Sequence, residues 1–353
     1  MKTARPMPVT SFLALIAAVL VPTTAAPQDA NFYRGKQVRV LIGYSAGGGY
    51  DTYARILARH IGKHIPGNPT VVPQNMPGAG SLTLTNFLYN VAPKDGTVLG
   101  TIARGMAMEP LLGGDGTQFD ATKFSWIGSL NHEVSICVSW YTSKVKTVED
   151  LRTTELIVGG TGSGADTDTF PIVMSNLLDA KIKLISGYPG GNDILLAMER
   201  GEVDGRCGWS WSSVVAGHSD WLTEKKINIL VQMALQKHPD LPNVPLVLDL
   251  ADSDEESMAM ELIFARQVMG RPFVAPPGVP AERREALRQA FLDMVEDPEF
   301  KADVQKMDLE LNPVSGAEIE RVIARIYASS PTAIRLASDA IKKTDRIHLD
   351  GGR

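Results

Sequence analysis

The sequence has little cysteine, little net charge and only one long apolar run, and each shortage excludes something. Two cysteines, Cys137 and Cys207, occur in 353 residues. Neither lies in a C-x-x-C context or beside a histidine, so a cysteine-based metal site or nucleophile has no support. Basic residues number 35 against 40 acids, a net charge of −5. That balance argues against nucleic acid or anionic lipid as a partner. It does not argue against a small anion, because local dipoles set the potential inside a pocket. Beyond the N-terminus no segment is long and apolar enough to cross a bilayer, and there is no low-complexity tract or short-period repeat.

The one apolar run, residues 11–21, follows Lys2 and Arg5 and leads into Pro22-Thr-Thr-Ala25-Ala26. This reads as a secretory signal peptide, residues 1–25, cut after Ala25. The cleavage site has no cysteine, which argues against a lipid anchor. Loss of Lys2 and Arg5 moves the balance from −5 to −7. Export places both cysteines in an oxidising compartment, where one disulfide is open to them; spacing alone does not decide it. The remaining length exceeds one ordinary domain and suggests two lobes.

What is present is a repeated grammar of strand, glycine loop and helix. A strand at 38–42 runs into Gly43-Tyr44-Ser45-Ala46-Gly47-Gly48-Gly49, then a helix over 50–64. A strand at 70–72 leads to Gly78-Ala79-Gly80-Ser81 and a helix through Tyr89, and a strand follows at 98–102. The pattern returns at 155–158, with Gly159-Gly160-Thr161-Gly162-Ser163-Gly164 and a helix from about 168 to 178. A weaker instance runs from 183–185 through Gly187, Gly190 and Gly191 into a helix at 194–200. Further strands are expected at 134–141, 202–211 and 227–233. The last third is mostly helical, with Ser253-x-x-Glu256 as a capping box and helices at 281–295, 315–328 and 331–343. The alternation predicts an α/β fold whose mostly parallel sheets are covered on both faces.

A glycine loop that enters a helix N-terminus presents unpaired backbone N–H groups and a positive dipole end, which together favour an anion. The loops lack the lysine of a phosphate loop and the third glycine and acid of a dinucleotide site, so a carboxylate fits better. Residues 43–47 also read G-x-S-x-G, the nucleophile elbow of α/β-hydrolases. Ser45, however, follows the first strand, and no earlier loop precedes it to supply an oxyanion N–H. His218 and His238 lack a signature, and His348 sits in the tail. An exported serine hydrolase using Ser45 is therefore the alternative. The main reading has no catalytic residue, no cofactor and no metal. His60 and His64, at i and i+4, have no carboxylate or cysteine nearby in sequence, which favours an exposed helix end over a metal site. Asp166 and Asp168 either contact a ligand amine or cation or cap the following helix, the commoner role. Asp51 reads as structural, placed at the dipole's positive end. Trp209 and Trp211 alternate on the expected strand, so both face one side, as a stacking wall or as core.

Together these motifs resemble the Bug/TctC family, the periplasmic solute receptors of tripartite tricarboxylate transporters. The resemblance rests on 41–51 (Leu-Ile-Gly-Tyr-Ser-Ala-Gly-Gly-Gly-Tyr-Asp), Arg55, Asn75-x-Pro77-Gly78-Ala79-Gly80 and Asp95-Gly-Thr. It continues through Pro110-Leu-Leu, Phe119-Asp120, Trp126-Ile-Gly and Gly160-Thr-Gly-Ser-Gly164. Gly201-Glu-Val-Asp204, Pro242-x-Val-Pro245 and Pro277-Gly-Val-Pro-Ala281 complete it, in order, over nearly the whole mature chain. It implies a two-lobed periplasmic binding protein fold, type II-like, with lobe 1 at 26–137 plus 263–353 and lobe 2 at 138–262. It implies a small organic carboxylate as ligand, membrane permease subunits as partners and the periplasm as location; a receptor that signals to a membrane partner is a further alternative. The two glycine loops would act as pincers. Carried over, the ligand-binding residues are Tyr44, Ser45, Ala46, Gly47 and Gly48; Arg104 and Gly105; Thr161, Gly162, Ser163 and Gly164; and Gly190. Trp209 is added as a stacking candidate. Pro189 stands where the family usually has arginine, so a cationic contact is missing there, and the segment 250–265 is longer than usual. Arg104 either replaces the lost charge or is an ordinary surface arginine.

Overall fold

The computed structural model describes Met1 and residues 31–342. The rest of the signal segment, including Lys2 and Arg5, and His348 lie outside the described residues. β1 (Gln37–Ile42) buries Val38, Val40 and Ile42 toward one core and Leu41 toward another, as strand alternation requires when both faces of a sheet are covered. α1 (Gly49–His60) packs Tyr53, Ile56 and Leu57 on one face, and the chain continues through β2 (Thr70–Asn75), α2 (Leu82–Asn90), β3 (Val98–Thr101), α3 (Glu109–Leu112) and β4 (Ser125–Ser129). It then crosses into the second sheet: β5 (Ser135–Trp140), β6 (Leu156–Gly160), α4 (Asp166–Leu177), β7 (Ile182–Ser186), α5 (Gly191–Glu199), β8 (Gly205–Ser210), α6 (Trp211–Thr223) and β9 (Ile227–Met233). After α7 (Asp254–Phe264) it returns with β10 (Pro272–Ala275), α8 (Ala281–Glu296), α9 (Pro298–Lys306), β11 (Val314–Ser315), α10 (Gly316–Tyr327) and α11 (Pro331–Ala340).

The first sheet has the order β11-β4-β10-β3-β1-β2 and the second β7-β6-β8-β5-β9. The strands of the glycine-loop units pair in parallel, β1 with β2 and β3, and β6 with β7 and β8. The mostly parallel expectation holds for these units only. β10 and β11 in the first sheet, and β5 against β8 and β9 in the second, run antiparallel. β5 and β10 are the first strands after the two crossovers, where a chain arriving from the other lobe enters its sheet from the opposite end. Cys137 on β5 and Cys207 on β8 are joined as a disulfide.

The C-terminal helices tie the sheets together. α10 buries Ile319, Val322, Ile323 and Ile326, the i, i+3, i+4, i+7 stripe of an amphipathic helix. Ser315 Oγ caps it by accepting from Glu318 N. α11 packs on α7 and also touches α3 and α4, elements from both sides of the crossover. His60 and His64 do not sit on an exposed helix end. His60 is buried, and its Nε2 lies 2.9 Å from Asp303; His64 Nε2 lies 2.9 Å from Asp297. Two separate carboxylates at α9 hold them, a pairing that sequence distance concealed. Among the described residues no group of three or more His, Cys, Asp or Glu is placed to hold a metal, and no helix is long and apolar enough to cross a membrane.

Candidate functional site

A cavity of about 370 Å³ lies between the two sheets, at the carboxyl ends of β1, β3, β6 and β8, where open α/β sheets place their ligands. Four helices begin at its wall. Gly49 and Tyr50 open α1, Asp166 and Thr167 open α4, Gly191 and Asn192 open α5, and Ser210 precedes α6. The first-turn N–H groups of a helix have no intrahelical partner, so four positive dipole ends converge here.

The glycine loops are braced by the protein itself. Asp51 Oδ2 accepts from Gly47 N (2.9 Å) and Arg55 Nε (2.8 Å), and its Oδ1 accepts from Asn75 Nδ2 (2.8 Å). Those bonds hold the Asp51 carboxyl below its usual pKa against the opposing effect of burial, the largest single influence. In the second loop Thr161 N donates to Thr167 Oγ1 (3.0 Å) and Gly162 N to Asp168 Oδ1 (2.8 Å). Asp168 thus staples the loop, and Ser186 Oγ donates to its other oxygen. The helix cap is Ala165, with no side-chain cap bond. The capping expectation for Asp166 and Asp168 is therefore corrected: Asp168 binds the loop, and Asp166 faces arginines.

The loops also carry the contact between lobes. Ser45 N donates to Pro189 O (3.1 Å), Ser45 Oγ to Asp193 Oδ2 (2.6 Å), and Gly80 N to Thr161 O (2.8 Å). Gly162 has φ +136°, and a Cβ there would lie 2.5 Å from Ala79 C; only glycine allows this approach. Ser45 Oγ thus donates to a carboxylate rather than to a histidine base, so the nucleophile arrangement is not met.

Three guanidinium groups line the cavity. Arg104, 2 % exposed, places Nε 2.7 Å from Asp166 Oδ2 and donates through Nη2 to Ser210 Oγ (2.8 Å). This removes the surface-arginine alternative. Burial disfavours its charge, but Asp166 and other nearby groups more than offset that, and its pKa is raised. Arg271, 1 % exposed, lies 3.3 Å from Glu133 and donates to Ser210, Ser212 and Ser213. Its guanidinium sits over Tyr50 and Tyr53, 4.9 and 5.0 Å from the ring centroids. Arg206 donates to Gly191 O (3.2 Å) and sits 5.3 Å from the Trp209 ring. It makes no ion pair among the described residues, and burial lowers its pKa to about 9. Among the described residues Arg104 Nη1, Arg206 Nε, Arg271 Nε and both Asp166 carboxylate oxygens are buried without a hydrogen-bond partner. His218 is held below its usual pKa, first by burial and then by Arg206, so it is neutral at pH 7.

Of the sequence-predicted residues, Tyr44, Gly47, Gly48, Arg104, Thr161 and Trp209 line the cavity. Ser45, Ala46, Gly105, Gly162, Ser163, Gly164 and Gly190 do not. Gly190 packs on Ser45, and Gly105 on the Gly164 carbonyl. Trp209 and Trp211 do not share a strand face: Trp209 lies in β8, whereas Trp211 opens α6, where its Nε1 donates to Asp240 (3.3 Å). Sequence reasoning missed Tyr50, Arg206 and Arg271. A signal existed for Arg206, a lone arginine within the apolar strand that ends in Trp209.

No family model matches the chain. It is 24% identical over 350 residues to a UPF0065 protein in the gbd 5′ region of Cupriavidus necator, covering 95% of this chain and 93% of the relative. Among solved structures it is similar to the periplasmic binding protein BugD, with a TM-score of 0.69 at 18% identity, over 88% of this chain and 100% of BugD. It is similar to MatC of Rhodopseudomonas palustris with bound malate, with a TM-score of 0.67 at 17% identity, over 86% and 99%. It is also similar to Rpa4515 of R. palustris with adipate, with a TM-score of 0.66 at 15% identity, over 86% and 97%. The fold is that of two-lobed periplasmic binding proteins. The neighbours are of the Bug/TctC type, the type the motifs resemble, and are substrate-binding proteins rather than enzymes.

Proposed function

We propose that this protein is an extracytoplasmic solute receptor that encloses a small carboxylate between its lobes and delivers it to a tripartite tricarboxylate-type permease. The observation that carries the reading is the cavity itself, where four helix N-termini and three guanidinium groups meet. Such a site exchanges a carboxylate's water for charge-assisted hydrogen bonds, worth about 1.5–3 kcal/mol each. Malate and adipate in structural neighbours are both dicarboxylates, which favours that class. The disulfide and the signal-like N-terminus support export and a periplasmic location. Lobe 1 is taken as 26–137 plus 263–353 and lobe 2 as 138–262, a division supported by the two sheets, although β5 belongs wholly to the second. Tyr44, Gly47, Gly48, Arg104, Thr161 and Trp209 are the ligand contacts kept from the sequence reading; Ser45 and Gly162 hold the closed lobes. Isothermal titration with malate, succinate, glutarate and adipate tests the reading. Binding with one-to-one stoichiometry is expected, and no heat from any of them with folded protein would overturn it.

A further inference from the structure

Two of the three cavity arginines are already matched by buried acids. Asp166 meets Arg104 on one side and Arg266 (3.5 Å) on the other. Glu133 meets Arg271 and also accepts from Ser212 Oγ (2.7 Å) and Asn131 Nδ2 (3.0 Å). Both carboxylates are thereby ion-paired, Glu133 with hydrogen bonds as well and Asp166 by charge alone, since neither of its oxygens accepts a hydrogen bond among the described residues. Arg206 differs: its one protein acceptor is a neutral carbonyl, Gly191 O, its Nε is buried and unpartnered, and no acid pairs with it among the described residues. Arg206 is half-buried, and an unmatched guanidinium at such a cavity wall is costly until an anion meets it; its planar fork suits a carboxylate. Among the described residues the cavity wall holds no acid without an arginine partner. Asp166 is the one carboxylate at that wall among the described residues, and neighbouring His218 is held below its usual pKa by burial and then by Arg206. An ammonium group would enter among three guanidiniums, facing one carboxylate whose charge two arginines already share. The remaining wall, Tyr44, Trp209, Met307 and Leu309, is apolar or aromatic and suits a carbon chain.

We propose that Arg206 reads the ligand's charge and that the site takes carboxylates bearing no ammonium group, so it discriminates diacids from amino acids. This rests on the carboxylate-receptor reading above. Its test is titration of the full-length mature protein with matched pairs: succinate and aspartate, glutarate and glutamate, adipate and 2-aminoadipate. The acid without nitrogen is expected to bind at least about tenfold tighter in the best-bound pair. Arg206→Met is expected to lose at least about tenfold in affinity, with Arg206→Lys in between because it keeps the charge and loses the fork. The ligand-free melting temperature of Arg206→Met should equal or exceed that of wild type, since an unmatched, half-buried charge is removed; that readout separates lost binding from lost fold. Amino acids binding as tightly as their diacids overturn the ligand class. Arg206→Met binding within about threefold of wild type overturns the role of Arg206 alone. If neither member of any pair binds folded wild type, the carboxylate reading fails, and this inference with it.

Discussion

The glycine loops and the arginine cluster lie on the same cavity and divide its labour. The loops are conspicuous in sequence, yet several of their amides are spent inside the protein: Gly47 on Asp51, Thr161 on Thr167, Gly162 on Asp168, and Ser45 on Pro189. The arginines are inconspicuous in sequence, yet each leaves a buried N–H without a partner among the described residues. Glycine supplies the close approach that lets two lobes meet, and arginine supplies charge where they meet. A loop that reads as an anion cradle can serve as the contact surface between lobes, with the nearby helix ends and side chains left to face the ligand.

The contrast can be broken most severely on the arginine side. Glu133→Ala leaves Arg271 buried without its counter-charge and should cost about 3–4 kcal/mol of stability, read as a lowered urea midpoint at unchanged m-value. On the glycine side, Gly162→Ala forces a side chain onto a backbone at φ +136° and against Ala79. It should cost the closed form about 2 kcal/mol, a loss of roughly thirtyfold in ligand affinity, with scattering showing a more open particle.

Glu310 sharpens the arginine side by its pH dependence. Burial, and then the charge of Glu133, pushes its carboxyl from 4.5 to about 7, despite Arg271. A raised folded pKa means the folded state holds the proton more tightly. Its contribution is therefore complete below about pH 4.5 and is lost as pH rises through about 7. Glu310→Gln should flatten that part of the stability profile by about 1–2 kcal/mol, seen as melting temperatures that no longer fall between those pH values. The smallest effect belongs to Ser45→Ala. Removing the hydroxyl that bonds Asp193 should weaken binding by roughly threefold to tenfold and leave the fold intact. A complete loss of function, or acylation of Ser45 by a fluorophosphonate, would instead revive the nucleophile.

Much of the fold was legible because it is written locally. The alternation of Val38, Val40 and Ile42, the stripe on α10 and the cap at Ser253 follow from periods of two and 3.6 and from side-chain reach. The site was legible only in part. Tyr44, Gly47, Gly48, Arg104, Thr161 and Trp209 reach the cavity because they end strands or open helices. Arg206 and Arg271 lie on β8 and just before β10, where sequence shows a strand but not which way its side chains face. The His60 and His64 pairings join residues more than 230 positions apart, beyond any local pattern.

Sequence by itself determined the strand–glycine loop–helix units, the two-lobed organisation that the ordered motifs resemble, and the places where backbone can approach backbone. Each of these is set by neighbours along the chain: propensity, periodicity and the absence of a Cβ. Tertiary structure decided which charges are matched. Asp166 falls to Arg104 and Arg266, Glu133 to Arg271, and, among the described residues, no acid to Arg206. Coulomb energy in a buried site depends on distance through space, which chain separation does not report.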